Sequence, residues 1–149
     1  MKLSAQARAL GTAEALAHGR SVRLIADGKS MWPLLHAGDE LEIIPARCAE
    51  LRLGDIAVAL RDDHFLVAHR IVSFDPLTLR GDSTGICEVF LPSQIVGRVR
   101  SYRRNGREVE IVSGWGRWGS LLLGKSAPLL RQLGAISRSS AEKYLRRRK

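Results

Sequence analysis

Residues 54–74 read "GDIAVALRDDHFLVAHRIVSF" and carry the strongest signal for the fold class. A Gly-Asp turn precedes a continuous apolar run over 56–60, which is typical of a strand covered on both faces. A second apolar run ends at Phe74 and follows the charged turn "RDDH". Both runs therefore predict buried β-strands.

Stretches on either side of this segment show strand patterns as well. Residues 21–26 and 39–44 alternate polar and apolar side chains, with Leu41 and Ile43 on the inner face. Asn105-Gly106 separates two further runs and is a typical hairpin turn. The remaining predicted strands are residues 78–82, 94–104 and 108–114. Six or seven short strands with little helix predict a compact, mainly β fold.

The two ends of the chain differ from this middle part. Residues 4–18 are rich in alanine and are followed by Gly19, which predicts a short N-terminal helix. From Ser113 onward, glycines and a proline separate apolar clusters and predict short C-terminal helices. The sequence thus divides into a helix at 1–20, a β-domain at 21–112 and a tail at 113–149.

The positive charge is concentrated in the C-terminal third. Residues 98–149 hold 14 Lys and Arg against 3 Asp and Glu, whereas residues 1–97 hold 10 against 12. This asymmetry predicts that the tail meets an anionic surface. Trp115, Trp118 and the final "RRRK" suit peripheral contact with an anionic membrane, and they equally suit packing on the β-domain with solvated arginines.

Hydropathy and cysteine content bear on the location of the protein. No stretch approaches about 18 consecutive apolar residues, and the N-terminal segment lacks the apolar core of a signal peptide. We therefore expect a cytoplasmic protein, with peripheral contact at the inner face of the membrane as the open alternative. Cys48 and Cys87 are expected to be ordinary thiols in a reducing compartment.

The segment "GKSMWPLL" at residues 28–35 places a serine where a strand passes into a turn. Ser30 is either an ordinary turn residue or a nucleophile, and a nucleophilic hydroxyl needs a base to remove its proton. His69 lies within an apolar strand, where an imidazole needs partners for both nitrogens. Taken alone, it suits a structural histidine better than a base. Lys29 is a rival base, but in an extended segment its side chain points away from Ser30.

Five segments occur in a defined order along the chain. They are "GKSMWPLL…GDELEI", "LGDIAVA", "AHRIV", "LRGD" and "IVGRV". Together they resemble the type I signal peptidase family, from about Ser21 to Val99. The resemblance implies a signal-peptidase-like fold, with a partly open β-barrel (β-ribbon) as its core and short N- and C-terminal helices. It also implies a serine endopeptidase that hydrolyses leader or precursor peptides.

The resemblance also implies roles for individual residues. Ser30, in the family's G-x-S-M-x-P pattern, would be the nucleophile, and His69 the base, as in the endoplasmic-reticulum and archaeal types; bacterial leader peptidases usually have lysine there. Asp82, in "LRGDSTG", matches a Gly-Asp of the family and is favoured as a structural or orienting residue. The histidine-type members have their orienting aspartate about six residues further on, and Glu88 stands at that position, so it is kept as a candidate acceptor for the imidazole.

The implied substrate is an extended peptide with small residues near the cut, which adds as a β-strand beside the edge that contains Met31. Gly28 would let it approach closely, and backbone N–H groups near Ser30 would bind the oxyanion. Shallow pockets are expected from three apolar side chains, Ile25, Met31 and Ile71. The partner is thus a peptide or protein precursor, and no metal or organic cofactor is implied.

Some features depart from the family or suit other functions. Members of the family usually have a membrane-spanning helix, and none is predicted here, so the chain resembles an unanchored bacterial member. Trp32 and Leu34, which follow Ser30, are expected to pack in the core. A LexA-like self-cleaving regulator is an alternative, since that class shares the Ser-Met motif, but it normally has a lysine base and an N-terminal DNA-binding domain. No specific nucleic-acid binding is expected of this chain. A catalytically inactive peptide-binding module stays open as well. The turn cluster of Asp62, Asp63 and His64 lacks a further obvious metal ligand.

Overall fold

The computed structural model describes residues 4–114. The helix is Ala5–Ala17 (α1), and the strands are Val22–Ile25 (β1), Glu40–Pro45 (β2), Ile56–Leu60 (β3), Leu66–Phe74 (β4), Leu77–Arg80 (β5), Cys87–Val89 (β6), Ile95–Arg104 (β7) and Arg107–Glu110 (β8). Two short 3₁₀ helices are Cys48–Glu50 and Pro92–Gln94. Within these residues no helix is long and apolar enough to cross a membrane. The predicted helices of the tail and its contact with anionic lipid lie outside the described residues.

The strands form one antiparallel sheet, so the mainly β prediction is confirmed. Their order is β1-β2-β7-β3-β4-β5-β6, and β8 pairs with β7. The strand β7 pairs with β2 along one side and with β3 and then β8 along the other, so it joins the two halves of the sheet. Over the described residues the sheet is open: β1 and β6 stand at its two ends and do not pair, so the predicted partly open barrel is here a sheet that does not close.

The central strand β3 is buried on both faces, as its continuous apolar run predicts. Ile56 and Val58 pack in one core cluster beneath α1, together with Leu16 of that helix. Ala57 and Ala59 point the other way, into a second cluster built with side chains of β4 and β5. Alternate residues of a strand face opposite sides of the sheet, which explains the two clusters.

Close packing of α1 on the sheet depends on a glycine in β7. A Cβ atom at Gly97 would lie 2.6 Å from the carbonyl oxygen of Ile44 and 3.4 Å from Cδ1 of Leu16. A larger residue there would push β2 and the helix away from the sheet. The helix itself begins where the Ser4 hydroxyl accepts a hydrogen bond from the N–H of Ala7, at 3.1 Å.

The predicted turns fall where the strands reverse. Asn105 and Gly106 both have positive φ, 51° and 75°, as a two-residue hairpin between β7 and β8 requires. The strand predicted at 108–114 is shorter, since β8 ends at Glu110. The three-residue strand β6 has no counterpart in the sequence prediction, because three residues carry too little alternation to be recognised.

Candidate active site

Strand register brings His69 and Glu88 to the same face of the sheet. His69 is opposite Ala57, and Ile71, two residues on, is opposite Leu79. Leu79 is in turn opposite Glu88. Since cross-strand partners and alternate residues share a face, the imidazole and the Glu88 carboxylate lie on one side of the sheet.

Ser30 lies in a turn that the core anchors through its neighbours. Met31 and Leu35 are both 4% exposed and pack in the cluster beneath α1. The segment is a turn and not an extended strand, so strand alternation cannot determine where the Lys29 side chain points relative to Ser30. The Lys29 side chain is nevertheless exposed. Trp32 is 57% exposed, so its predicted core packing is wrong, because Trp32 lies in the turn at the surface and not in a strand.

The Ser30 hydroxyl and the His69 imidazole meet although they are 39 positions apart in the chain. The distance between Ser30 Oγ and His69 Nε2 is 3.0 Å. His69 is 8% exposed, and its Nδ1 is the one buried side-chain nitrogen or oxygen without a hydrogen-bond partner among residues 4–114. Oε1 of Glu88 lies 3.8 Å from that Nδ1. The three groups thus stand in the order carboxylate, imidazole and hydroxyl.

The environment of His69 favours its neutral form. Burial lowers the pKa of the imidazole from its usual 6.5, because a charged ring loses hydration there. The carboxylates of Glu88 and Asp82 raise this pKa and the guanidinium of Arg61 lowers it, but burial is the largest cause and the net direction is downward. At neutral pH the ring is therefore uncharged and can accept a proton at Nε2.

Asp82 pairs with Arg70 and not with His69. Its carboxylate accepts hydrogen bonds from Nε and Nη2 of Arg70, at 2.8 and 2.6 Å, and Arg70 Nη1 donates to the carbonyl oxygen of Gly54 at 2.8 Å. Arg70 follows His69 directly on β4, so the two side chains leave opposite faces of the strand. Of the two roles expected for Asp82, this geometry favours the structural one, and Glu88 is the acid beside Nδ1.

The loop after β5 holds the Ser30 turn in place. The N–H of Ser83 donates to the carbonyl oxygen of Ser30 at 2.9 Å, and the Ser83 hydroxyl donates to that of Lys29 at 2.7 Å. A Cβ atom at Gly81 would lie 3.0 Å from the Ser30 carbonyl oxygen and 3.1 Å from its Cβ. Sequence analysis missed the role of Ser83, for which "LRGDSTG" gives no signal beyond a turn.

Substitution of Gly81 by alanine is therefore expected to displace Ser30. The added methyl would also lie 2.7 Å from Thr84 Oγ1, which can rotate away, whereas the Ser30 backbone has to shift by some tenths of an ångström. We expect kcat/KM for a cleaved peptide to fall by about 10-fold, since a displacement of about 1 Å costs about 100-fold. Gly11→Ala is the matched control, because a Cβ there meets nothing within 4 Å. Equal activity of the two variants, both folded, would contradict this role of Gly81.

A buried ion pair fixes the far end of the Ser30 turn. Asp39 is 2% exposed and accepts hydrogen bonds from Nε and Nη2 of Arg104, at 2.8 and 2.6 Å. Hydrogen bonding to Arg104 lowers the pKa of Asp39 below its usual value. Arg104 also donates to the carbonyl oxygen of Leu34 at 2.9 Å, and Asp39 accepts from the N–H of His36. The turn is thereby tied to β7.

The residues expected to contact substrate are not equally accessible. Gly28 is exposed and has open space where a Cβ would be, and Ile25 is 65% exposed. Met31 and Ile71 are buried in the two core clusters, so a peptide could reach them only after a rearrangement. Among residues 4–114, the backbone N–H groups of Ser30 and Met31 donate no hydrogen bond to another backbone group.

Comparison with protein-family models, with curated proteins and with solved structures found no match. In the part of the chain that the structure describes, no three His, Cys, Asp or Glu side chains are grouped so as to hold a metal ion. The chemistry of the site therefore has to be argued from its own geometry.

Proposed function

We propose that the protein is a serine endopeptidase of signal-peptidase type, in which Ser30 is the nucleophile and His69 the general base. The observation that carries this proposal is the 3.0 Å contact between Ser30 Oγ and the Nε2 atom of a buried imidazole. That distance suits direct proton transfer from the hydroxyl to the ring. A histidine kept only for structure would have a partner at each buried nitrogen, and Nδ1 has none among the described residues.

The proposed reaction follows the usual course of acyl transfer. His69 Nε2 takes the proton of Ser30 as Oγ attacks the peptide carbonyl carbon, and the N–H groups of Ser30 and Met31 stabilise the oxyanion. The imidazolium then gives its proton to the leaving amine, and an acyl-enzyme forms. Water attacks the acyl group with His69 again as base, which releases Ser30. Glu88 accepts a hydrogen bond from the Nδ1–H of the ring, stays ionised and stabilises the charged imidazolium.

The substrate we propose is an extended segment of a leader or precursor peptide with small residues near the cut. The exposed backbone at Gly28 leaves room for a strand to approach the nucleophile, because no side chain stands there. Large side chains next to the cut are disfavoured, since Met31 and Ile71 offer no open pocket. We extend the proposal to a cytoplasmic location, with the basic tail available for peripheral contact with an anionic membrane.

A catalytically inactive peptide-binding module is the second candidate. It is favoured by the 3.8 Å distance between Glu88 Oε1 and His69 Nδ1, which exceeds a hydrogen bond. We prefer the enzyme because hydrogen bonds of catalytic groups are often long without substrate and tighten in its complex.

A library of extended peptides that vary the residues around one position tests the proposed function. The purified protein is incubated with the library at pH 7.5, and the products are mapped by mass spectrometry. Cuts that follow small residues such as alanine, glycine or serine are expected. Binding of peptides without any cut would support the inactive module instead, and cuts without regard to residue size would overturn the proposed substrate class.

A further inference from the structure

Glu88, the acid beside His69, lies on a strand at one end of the sheet. Glu88 belongs to β6, a strand of three residues that pairs only with β5 over the described part of the chain. Its side chain is 29% exposed, and its carboxylate accepts no hydrogen bond within residues 4–114. A charged group near Oε2 therefore bears on where Oε1 is directed.

Arg61 supplies such a group from the turn after β3. Its Nη1 lies 3.6 Å from Oε2 of Glu88, and its Nη2 lies 3.4 Å from Oδ2 of Asp63. Arg61 lies two residues beyond Ala59, on the face of the sheet that also carries His69 and Glu88. The guanidinium therefore contacts one oxygen of Glu88 and leaves the other for Nδ1.

The backbone of Arg61 is well fixed. Its N–H donates to the carbonyl oxygen of Phe65 at 2.9 Å, and its carbonyl oxygen accepts from the N–H of His64 at 3.0 Å. Gln94 also donates to the carbonyl oxygen of Leu60 and to Asp62 in the same turn. The guanidinium thus extends from a hairpin held in place from two sides.

We propose that Arg61 is a positioning residue, which holds Glu88 so that the proton of His69 resides on Nδ1 and Nε2 can accept the proton of Ser30. This inference rests on the proposed function. The Arg61 side chain is 42% exposed, and ion pairs this exposed contribute little to stability. We therefore expect its contact with Glu88 to affect which nitrogen of the His69 ring carries the proton, and to have little effect on the free energy of unfolding.

The sharpest test measures the tautomer of His69 and needs no substrate. Imidazole ¹⁵N chemical shifts at pH 8 are compared for the wild type, Arg61→Gln, Arg61→Lys and Glu88→Gln. The control is Arg100→Gln, because Arg100 also contacts two carboxylates, of Glu42 and Glu110, at 3.9 and 3.7 Å. We expect the Nδ1–H form to dominate in the wild type and in Arg100→Gln, to decline in Arg61→Gln and Glu88→Gln, and to recover partly in Arg61→Lys.

Kinetics of the same variants show whether Arg61 acts through Glu88. Arg61→Gln is expected to lower kcat by about 3- to 5-fold with KM little changed, and to have no further effect when Glu88→Gln is already present. An unchanged tautomer in Arg61→Gln, or an equal loss in both backgrounds, would overturn the proposal. If the wild type cleaves no peptide, the proposed function fails, whereas the tautomer still decides whether Arg61 positions the ring.

Discussion

Replacing His69 by alanine is expected to lower kcat/KM for a cleaved peptide by about 10⁴-fold or more, the loss seen when a member of a serine triad is removed. The reason is the 3.0 Å contact with Ser30, since among residues 4–114 the imidazole is the side chain that forms a hydrogen bond with this hydroxyl. His69→Gln is the second variant, because it fills the buried site without providing a base. Both are compared with the wild type after urea unfolding confirms that they are folded.

Lys29 provides the matched control for the identity of the base. It precedes Ser30 directly and its side chain is exposed, so Lys29→Ala is expected to leave kcat/KM near the wild-type value. A large loss in Lys29→Ala together with activity in His69→Gln would assign the base to lysine and contradict the proposed dyad.

The pH dependence of the rate follows from the state of the same ring. Burial holds the pKa of His69 below its usual 6.5. More than half of the base is therefore unprotonated at pH 6.5, and the fall of kcat/KM on acidification, measured from pH 8 to pH 5, should be centred below that pH. The sign for stability is the same: the unfolded chain takes up a proton near pH 6.5 that the folded chain resists, so acidification below 6.5 favours unfolding.

Replacing Asp82 by asparagine is expected to reduce the free energy of unfolding by about 3–5 kcal/mol, because it leaves a buried guanidinium without its counter-charge. Arg70 is 6% exposed and makes two hydrogen bonds with the Asp82 carboxylate. A loss of that size is a large part of the about 5–15 kcal/mol that stabilises a typical domain. Urea unfolding followed by circular dichroism measures it.

The control for Asp82 is an exposed acid in an ion pair. Glu110 is 77% exposed and lies 3.7 Å from Arg100, so Glu110→Gln should change the free energy of unfolding by less than about 1 kcal/mol. If Asp82→Asn were as stable as Glu110→Gln but had lost activity, Asp82 would orient the catalytic groups and the structural role assigned to it would be wrong.

Much of the fold follows from short patterns in the sequence. The apolar run at 56–60 predicts a strand covered on both faces because each face of β3 needs apolar side chains, and Asn105-Gly106 predicts its hairpin because both residues tolerate positive φ. Whether the sheet closes depends on twist and on pairing between its end strands β1 and β6, and no local pattern encodes that. Trp32 was placed in the core by hydrophobicity alone, which says nothing of the turn that exposes it.

The candidate site was less accessible to sequence reasoning. Apolar neighbours alone suggest a structural role for His69, and only the order of motifs linked it with Ser30, 39 positions away. The sequence offers both Asp82 and Glu88 as the acid that orients His69. The choice between them depends on Arg70, whose side chain leaves the opposite face of β4 and forms a hydrogen bond with the Asp82 carboxylate. The contributions of Arg61 and Gly81 depend on contacts between distant segments, so they need the three-dimensional arrangement.

The most direct test of the central claim compares the wild type with Ser30→Ala in the peptide library at pH 7.5. We expect the wild type to cut after small residues and Ser30→Ala to cut nothing above background, with both proteins equally folded. Leu10→Ser, a change at an exposed position of α1, serves as a control for the preparation and should cleave as the wild type does. Equal cleavage by the wild type and Ser30→Ala would show that Ser30 is not the nucleophile, because the hydrolysis would then come from another group or a contaminant.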